Sequence, residues 1–186
     1  MAVQVEIISL DSVVLSREKQ LALKREIERY AEATDFVIRR ILQEHITSAA
    51  KTIEAVQEEF AERFDRRPEY LADVVKTARV TIGQHRKMAR VLQSARHKRP
   101  RFKEGRLILS PPLVRVTERA LLLTTQDGSE LPIPFDKRSR NKNLDVLSDL
   151  AAGRRQHDRV RLTWRREGFV EIDIRVLVDA EEADRS

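Results

Sequence analysis

The segment Val3-Gln4-Val5-Glu6-Ile7 alternates apolar and polar side chains, which predicts a half-buried β-strand. The run from Phe169 to Val178 alternates in the same way and predicts a second strand. An isolated strand is not stable in water, so we expect the N-terminal strand to pair with the C-terminal strands. The predicted fold class is therefore α+β: a small β-barrel formed by strands from both ends of the chain, carrying a three-helix insertion.

Three helices are predicted in the insertion, because this region has no Gly before Gly83 and only one proline, Pro68. They cover about Ser16 to His45, Ser48 to Pro68 and Glu69 to Ala95. Apolar residues recur at helical spacing in each, as far as His45 in the first and as far as Leu92 in the third. Ser16 is the predicted N-cap of the first helix.

Six strands and one short helix are predicted after Pro100. The strands lie near residues 107–109, 113–117, 120–125, 131–135, 159–164 and 169–178. Asp127-Gly128 predicts a hairpin turn, and Pro132 and Pro134 place the strand after it at a sheet edge. The short helix spans Leu144 to Leu150, with Asn143 as its cap and Gly153 as its stop. The predicted division is a β-barrel domain (residues 1–16 and 104–180), a helical lobe (17–103) and a disordered tail (181–186).

Charge is distributed unevenly along the chain. Residues 76–166 carry 23 Lys and Arg against 8 Asp and Glu, a balance of +15, whereas both flanks are acidic. Such a section produces a local positive field that suits phosphate backbones. The alternative is a basic surface that serves only solubility.

The predicted binding residues form two groups. The first follows one face of the third helix and the segment after it: Arg79, Arg86, Lys87, Arg90, Lys98, Arg99, Arg101 and Lys103. Like charges in one stripe repel each other, and a phosphate partner reverses that effect. The second group lies in a predicted loop: Lys137, Arg138, Arg140 and Lys142. Phe102, among the cations, either stacks on a base or anchors the first strand of the β region.

Further arginines occur on the predicted strands and near Gly153. Arg154-Arg155 forms a third cluster, and Arg159, Arg161 and Arg165 are predicted to share a solvent-facing side of one strand. Clusters of this kind favour contacts along a backbone over recognition of bases.

Several classes of function are disfavoured by composition. The chain has no Cys, which excludes disulfides, thiolate metal sites and thiol nucleophiles. The four His are not spaced as metal ligands, so we expect no metal site and no cofactor. No apolar stretch approaches the roughly 18 residues of a membrane span, and we expect a soluble, cytoplasmic protein with no membrane partner.

The run HKRPRFKEGRLILSPP, His97 to Pro112, resembles the segment where the helical lobe re-enters the barrel in TnpB (OrfB) transposon proteins, RNA-guided nucleases related to type V CRISPR effectors. The other similar stretches are Ser16 to Gln20, Tyr30, Ala33, Phe36 to Ile38, Leu121 to Thr125, Asp127-Gly128, Ile133 to Phe135, Trp164 and Gly168-Phe169. Asp35 stands where the family usually has Asn.

The resemblance implies a wedge domain that carries a recognition lobe. In the family these parts hold the guide RNA, the guide–target duplex and the DNA flanking motif. The family's RuvC nuclease and four-Cys zinc ribbon would follow residue 186. The resemblance therefore implies the binding half of such a nuclease, without its RuvC and zinc-ribbon parts.

Three functional hypotheses follow. The first is a non-enzymatic protein that binds nucleic acid through backbone contacts, with RNA or an RNA–DNA duplex favoured and DNA possible. The second is a HEPN-like ribonuclease that uses an Arg-x4-6-His pair, either Arg40 with His45 or Arg79 with His85. The third is an adaptor that docks a separately encoded nuclease through the helical lobe.

Overall fold

The computed structural model describes residues 3–178, and these residues form six helices and seven strands. In chain order the elements are β1 (Gln4–Asp11), α1 (Arg17–Glu44), α2 (Ala49–Arg63), α3 (Pro68–Val91), α4 (Gln93–Arg96), β2 (Arg106–Leu109), β3 (Val114–Val116), β4 (Ala120–Thr124), β5 (Glu130–Pro134), α5 (Lys137–Lys142), α6 (Leu144–Ala152), β6 (His157–Trp164) and β7 (Val170–Val178). The predicted disordered tail lies outside the described residues. None of the described helices is long and apolar enough to cross a membrane.

The chain divides into two compact units. The strand unit contains the described residues up to 24 and from 106 onward, and the helical unit contains residues 25–105. The first turns of α1 therefore belong with the strands, and the remainder of α1 belongs with α2, α3 and α4. The α+β class is confirmed.

The predicted pairing of the N-terminal strand with the C-terminal strand is confirmed. β1 runs antiparallel to β7 along its whole length, from Gln4 opposite Val178 to Asp11 opposite Glu171. β7 lies inside a four-stranded sheet of order β1-β7-β6-β2. Its inward side chains, Val170, Ile172, Ile174 and Val176, are fully buried. Complete burial of an aliphatic side chain stabilises the fold by about 1.5–3 kcal/mol, so this strand is central to the unit's core.

A closed barrel is not observed, because the seven described strands form two open sheets. The second sheet has three strands in the order β3-β4-β5. Proline has no N–H for a strand ladder, and Pro111-Pro112 separates β2 from β3 while Pro132 and Pro134 lie in β5. An isolated bridge between Ser12 and Phe135 brings the end of β1 next to β5.

The predicted hairpin and edge strand are both confirmed. Thr125 N donates to Ser129 O at 2.9 Å across the turn, where Gly128 has φ of 85°. This left-handed conformation favours glycine. β5 pairs only with β4 and therefore occupies a sheet edge.

The face of β1 that is buried is not the one that the apolar residues of segment 3–7 indicate. Val5 and Ile7 are exposed, whereas Ile8 and Leu10 are buried. The register explains the difference, because Ile8 lies opposite the buried Ile174 of β7. A shift of one residue exchanges the two faces of a strand, and the pattern of residues 3–7 alone selects the wrong one.

The predicted basic loop after β5 is wrong, since Lys137–Lys142 forms the short helix α5. The Asp136 side chain accepts a hydrogen bond from Arg138 N at 3.2 Å and caps the helix. The predicted stop of the next helix is correct, because Gly153 ends α6 with φ of 76°. Asn143 precedes α6 but donates its side-chain amide to a carbonyl of α5 instead of capping α6.

Aromatic side chains fill the core of the helical unit. Tyr30, Phe60 and Tyr70 are fully buried. The rings of Tyr30 and Tyr70 meet edge-on with centroids 6.0 Å apart, and the Tyr30 hydroxyl shares a 2.6 Å hydrogen bond with Thr77. Edge-on pairs of this kind contribute about 0.5–1.5 kcal/mol beyond the area that they bury.

Two predicted helix boundaries are corrected. α1 ends at Glu44, and His45 follows with φ of 51° and an exposed side chain, so His45 is not part of the apolar face. α3 ends at Val91, because Leu92 adopts an extended conformation, and the Leu92 side chain is 50% exposed instead of buried. The predicted starts are accurate: Ser16 Oγ accepts from Lys19 N at 3.3 Å, and α3 begins at Pro68.

A buried ion-pair network joins α1 to the turn between α2 and α3. The Asp65 carboxylate, whose side chain is 1% exposed, accepts from Arg29 at 2.7 Å and from Arg67 at 2.8 Å. Burial alone would raise the pKa of Asp65, but the hydrogen bonds from Arg67 and Arg29 outweigh it and hold that pKa below its usual value. The carboxylate therefore stays charged in the folded state.

Candidate nucleic-acid interface

The basic section of the helical unit contains no acidic residue between Asp73 and Glu104, although it contains ten Lys and Arg. All ten side chains are exposed. The two preceding helices, by contrast, carry nearly equal numbers of acidic and basic residues. Like charges without counter-charges repel each other, so this section concentrates positive charge that few carboxylates offset.

The α3 stripe, defined as Lys76, Arg79, Arg86, Lys87 and Arg90, lies on the solvent side of α3. The buried face of α3 is formed by other residues, among them Val74, Ala78 and Ile82. Arg79 donates to the carbonyl of Thr47 at 3.3 Å, which orients its guanidinium without neutralising it. The predicted stripe is thus exposed to solvent along the helix.

The connector, defined as residues 97–105, is attached to α1. Phe102 N donates to the Asp35 carboxylate at 3.0 Å, and the Phe102 ring packs against Tyr30 with centroids 5.5 Å apart. Phe102 is buried, so the hypothesis that it stacks on a base is wrong, and it anchors the connector within the helical unit. Lys98, Arg99 and Lys103 are exposed on either side of this anchor.

The second predicted group lies on α5 in the strand unit. Lys137, Arg138 and Lys142 are exposed, and Arg140 is half-buried. Because α5 is a capped helix and not a loop, these four side chains have fixed backbone positions. They belong to the strand unit, whereas the α3 stripe and the connector belong to the helical unit.

Carboxylate partners are rarer among the predicted binding residues than among the other arginines of residues 3–178. Of the twelve predicted binding residues, Arg101 is the only one with a carboxylate partner within residues 3–178; it lies 3.1 Å from Glu104. About half of the arginines elsewhere in residues 3–178 have carboxylate partners: Arg29, Arg40, Arg63, Arg67, Arg115, Arg154, Arg155, Arg161 and Arg165. The predicted sites are therefore cations that the fold itself leaves available.

The further arginine clusters of the strand unit do not share this property. Arg154 and Arg155 both pair with Asp149. Arg161 pairs with Asp173 across the sheet at 2.9 Å. Arg159 is buried, so the expectation that it shares a solvent face with its neighbours is wrong.

Some of the predicted binding residues line two concave surfaces of the helical unit. Arg79 and Arg86 line a groove of about 860 Å³ formed by α1, α2 and α3. Arg99 and Arg101 line a smaller cavity of about 450 Å³. The smaller cavity also contains Arg39, which the sequence did not indicate. No local signal points to Arg39, because it lies sixty residues from Arg99 in an acidic part of the chain.

The four residues of the ribonuclease hypothesis have different surroundings in the structure. The Arg40 guanidinium lies 2.8 Å from the Glu59 carboxylate and also donates to the Ala55 carbonyl. Arg79 and His85 are six residues apart on one helix, which rotates their side chains about 120° away from each other. His45 and Arg79 line the groove, whereas Arg40 and His85 do not.

His45 has a structural role at the end of α1, and this leads to a prediction. A non-glycine residue with positive φ costs on the order of 1 kcal/mol, a cost that glycine avoids. We expect His45→Gly to raise the free energy of unfolding by about 1 kcal/mol, measured by urea denaturation, with His45→Val lowering it. A loss of stability in His45→Gly would mean that the imidazole itself holds the turn.

Metal ligation finds no support in the described part of the chain, since no group of three or more His, Asp or Glu residues is placed to hold an ion. Burial lowers the pKa of His157, which keeps that ring neutral near pH 7.

No family model and no curated protein sequence matches this chain.

Proposed function

We propose that this protein binds nucleic acid through its unpaired surface cations and performs no bond-breaking step on it. The α3 stripe, the connector and α5 supply these cations. Phosphate groups would take the place of the missing carboxylate partners, and each contact would release counterions. Contacts of this type position a backbone without reading its sequence.

The observation that carries the proposal is the run of ten exposed Lys and Arg between Asp73 and Glu104 with no acidic residue among them, and ion pairing adds a weaker contrast. Exposed ion pairs contribute little stability, about 0–1 kcal/mol each, so pairing is not required for the fold. Even so, nine arginines outside the predicted site have carboxylate partners, while eleven of the twelve predicted residues have none among residues 3–178. This contrast is one of degree, because the nine paired arginines are about half of those that lie outside the predicted site in residues 3–178.

RNA is the favoured ligand in this proposal. The likeness of His97 to Pro112 to the TnpB proteins suggests a guide-type RNA or its duplex with DNA, held by shape and by phosphates. In that arrangement base pairing supplies the sequence recognition, and the protein needs only backbone contacts.

Binding of the purified chain to a mixed-sequence single-stranded RNA tests the proposal. We expect clear binding at 50 mM salt and a loss of on the order of 10³-fold or more in affinity by 200 mM, the behaviour of six or more phosphate contacts. The RNA should be recovered intact. Lack of affinity at 50 mM salt would refute the proposal, and RNA cleavage that is abolished by His45→Ala or His85→Ala would replace it with the ribonuclease hypothesis.

A further inference from the structure

The groove of the helical unit differs in chemistry from the rest of the basic surface. Fifteen residues line it, and nine of these are Ala, Val, Leu or Ile. None of the fifteen is acidic, the imidazole of His45 is the one aromatic ring among them, and three are Lys or Arg: Lys76, Arg79 and Arg86. The groove is therefore an aliphatic surface bordered by positive charge along one side.

The aliphatic walls of the groove are only partly covered by the protein itself. Ile41, Val75 and Ile82 are buried beneath it, whereas Val80 is 48% exposed and Ile53 is half-buried. Exposed aliphatic surface that adjoins a concavity typically marks a binding site. The groove's volume of about 860 Å³ is large enough for several side chains of a partner.

Gly83 lies in this groove, in the interior of α3. Glycine is among the least favourable residues inside a helix, and here no close packing within the protein requires it. A Cβ placed on Gly83 would meet no heavy atom within 4 Å. The absence of a side chain therefore leaves the α3 backbone open to close approach from outside.

From these features we propose that the groove binds an amphipathic helix of a partner protein, with aliphatic side chains in the groove and acidic side chains facing α3. Grooves between helices bind such helices through apolar residues at spacings of three, four and seven. The partner's axis would cross α3 near Gly83, where helices can approach closely.

Charge complementarity sets the chemistry of the partner. Lys76, Arg79 and Arg86 follow one another at intervals of three and seven residues along one side of α3. Asp or Glu at similar intervals on a partner helix would face these cations. A nucleobase fits the groove less well, because bases prefer aromatic side chains for stacking and the groove offers one imidazole, that of His45, against nine aliphatic side chains.

This inference goes beyond the proposed nucleic-acid function, with which it shares Lys76, Arg79 and Arg86, and leaves the other cations to nucleic acid alone. Lys87, Arg90, Lys98 and Lys103 line neither the groove nor the smaller cavity. Failure of RNA binding would therefore not remove the helix site, and failure of helix binding would not remove the RNA site.

A displayed library of amphipathic helical peptides, each of about five turns, tests the proposal with the full chain as target. The library keeps Leu at spacings of three, four and seven, and varies the flanking positions among Asp, Glu, Lys, Arg and Ser. We expect the selected peptides to be enriched in Asp and Glu on one flank. Their affinity for the Gly83→Leu variant should fall at least tenfold.

Two controls keep the result interpretable. Gln84→Leu adds the same side chain to an exposed position of α3 outside the groove and should leave peptide affinity unchanged. Gly83→Ala should raise the melting temperature by about 2–4 °C because alanine favours the helix, which shows that substitution at Gly83 does not unfold the unit.

Three results would overturn the proposal. The first is selected peptides that bind Gly83→Leu as tightly as the wild type. The second is enrichment in Lys and Arg instead of Asp and Glu. The third is a tenfold loss of affinity for a single-stranded oligouridine in the Gly83→Leu variant with no loss in the Gln84→Leu variant. That result would assign the groove to a nucleotide.

Discussion

Replacement of Asp65 by Asn is expected to lower the free energy of unfolding of the helical unit by about 3–5 kcal/mol. The carboxylate is buried, and it neutralises the partly buried guanidinium groups of Arg29 and Arg67. An amide of the same shape removes the buried negative charge that both guanidinium groups contact, although Arg29 keeps its ion pair with Glu26. Urea unfolding followed by circular dichroism at helical wavelengths measures the change.

An exposed ion pair supplies the control for this substitution. Glu130 lies 3.5 Å from Arg115 with both side chains exposed, so Glu130→Gln should cost less than about 1 kcal/mol. If Asp65→Asn were no more destabilising than Glu130→Gln, the network would not hold the turn between α2 and α3.

The same network predicts a pH dependence. The pKa of Asp65 is lower in the folded state than in the unfolded state, so its stabilising effect is complete above its unfolded pKa of about 3.9. That effect is lost as the pH falls through the folded value. The wild type should therefore lose stability more steeply than Asp65→Asn below about pH 4.

Replacement of Lys87, Arg90 and Arg99 by Ala is expected to weaken RNA binding for all sequences alike. It should also reduce the slope of log affinity against log salt concentration by about 2, because each phosphate contact on a single strand contributes about 0.7. Titration of a fluorescent RNA at several salt concentrations measures the slope.

A second triple variant that loses the same number of positive charges tests whether specific phosphate contacts or net charge alone explains RNA binding. Arg154, Arg161 and Arg165 are exposed and paired with carboxylates, so their replacement by Ala should leave the slope nearly unchanged. Equal effects of the two triple variants would mean that net charge alone attracts the RNA and that the unpaired cations have no special role.

The elements that the sequence predicts well are those with strong local signals. The Asp127-Gly128 turn, the capping Ser16 and the break that Pro68 makes between the second and third helices act within a few residues, and the structure has all three. The exposed face of β1 depends on its register with β7, about 170 residues away. No local pattern contains that information.

Other differences between the predicted and the observed structure arise where two features of the sequence favour different local structures. The cations of residues 137–142 suggest a solvated loop, although Asp136 in front of them is a good N-cap, and the cap prevails. The aromatic core of the helical unit depends on contacts such as that between Tyr30 and Phe102, 72 residues apart. The ring of Phe102 is consequently buried and not available to a base.

The candidate site could be predicted in part. A run of ten cations without an acid is visible in the sequence, and it indicates where an anionic surface would bind. Which arginines are neutralised is not visible, because partners such as Arg29 and Asp65, or Arg154 and Asp149, meet only in the folded chain. The groove around Gly83 was missed for the same reason, since it is formed by three separate helices.

Protection of arginines from chemical modification is the most direct measurement of the central claim. Arginine-specific labelling with and without single-stranded RNA, read by mass spectrometry, reports on each guanidinium separately. We predict that RNA protects Arg90 and Arg99 and leaves the labelling of the paired Arg154 and Arg165 unchanged. Unchanged labelling of Arg90 and Arg99 at saturating RNA, or protection confined to the paired arginines, would contradict the account.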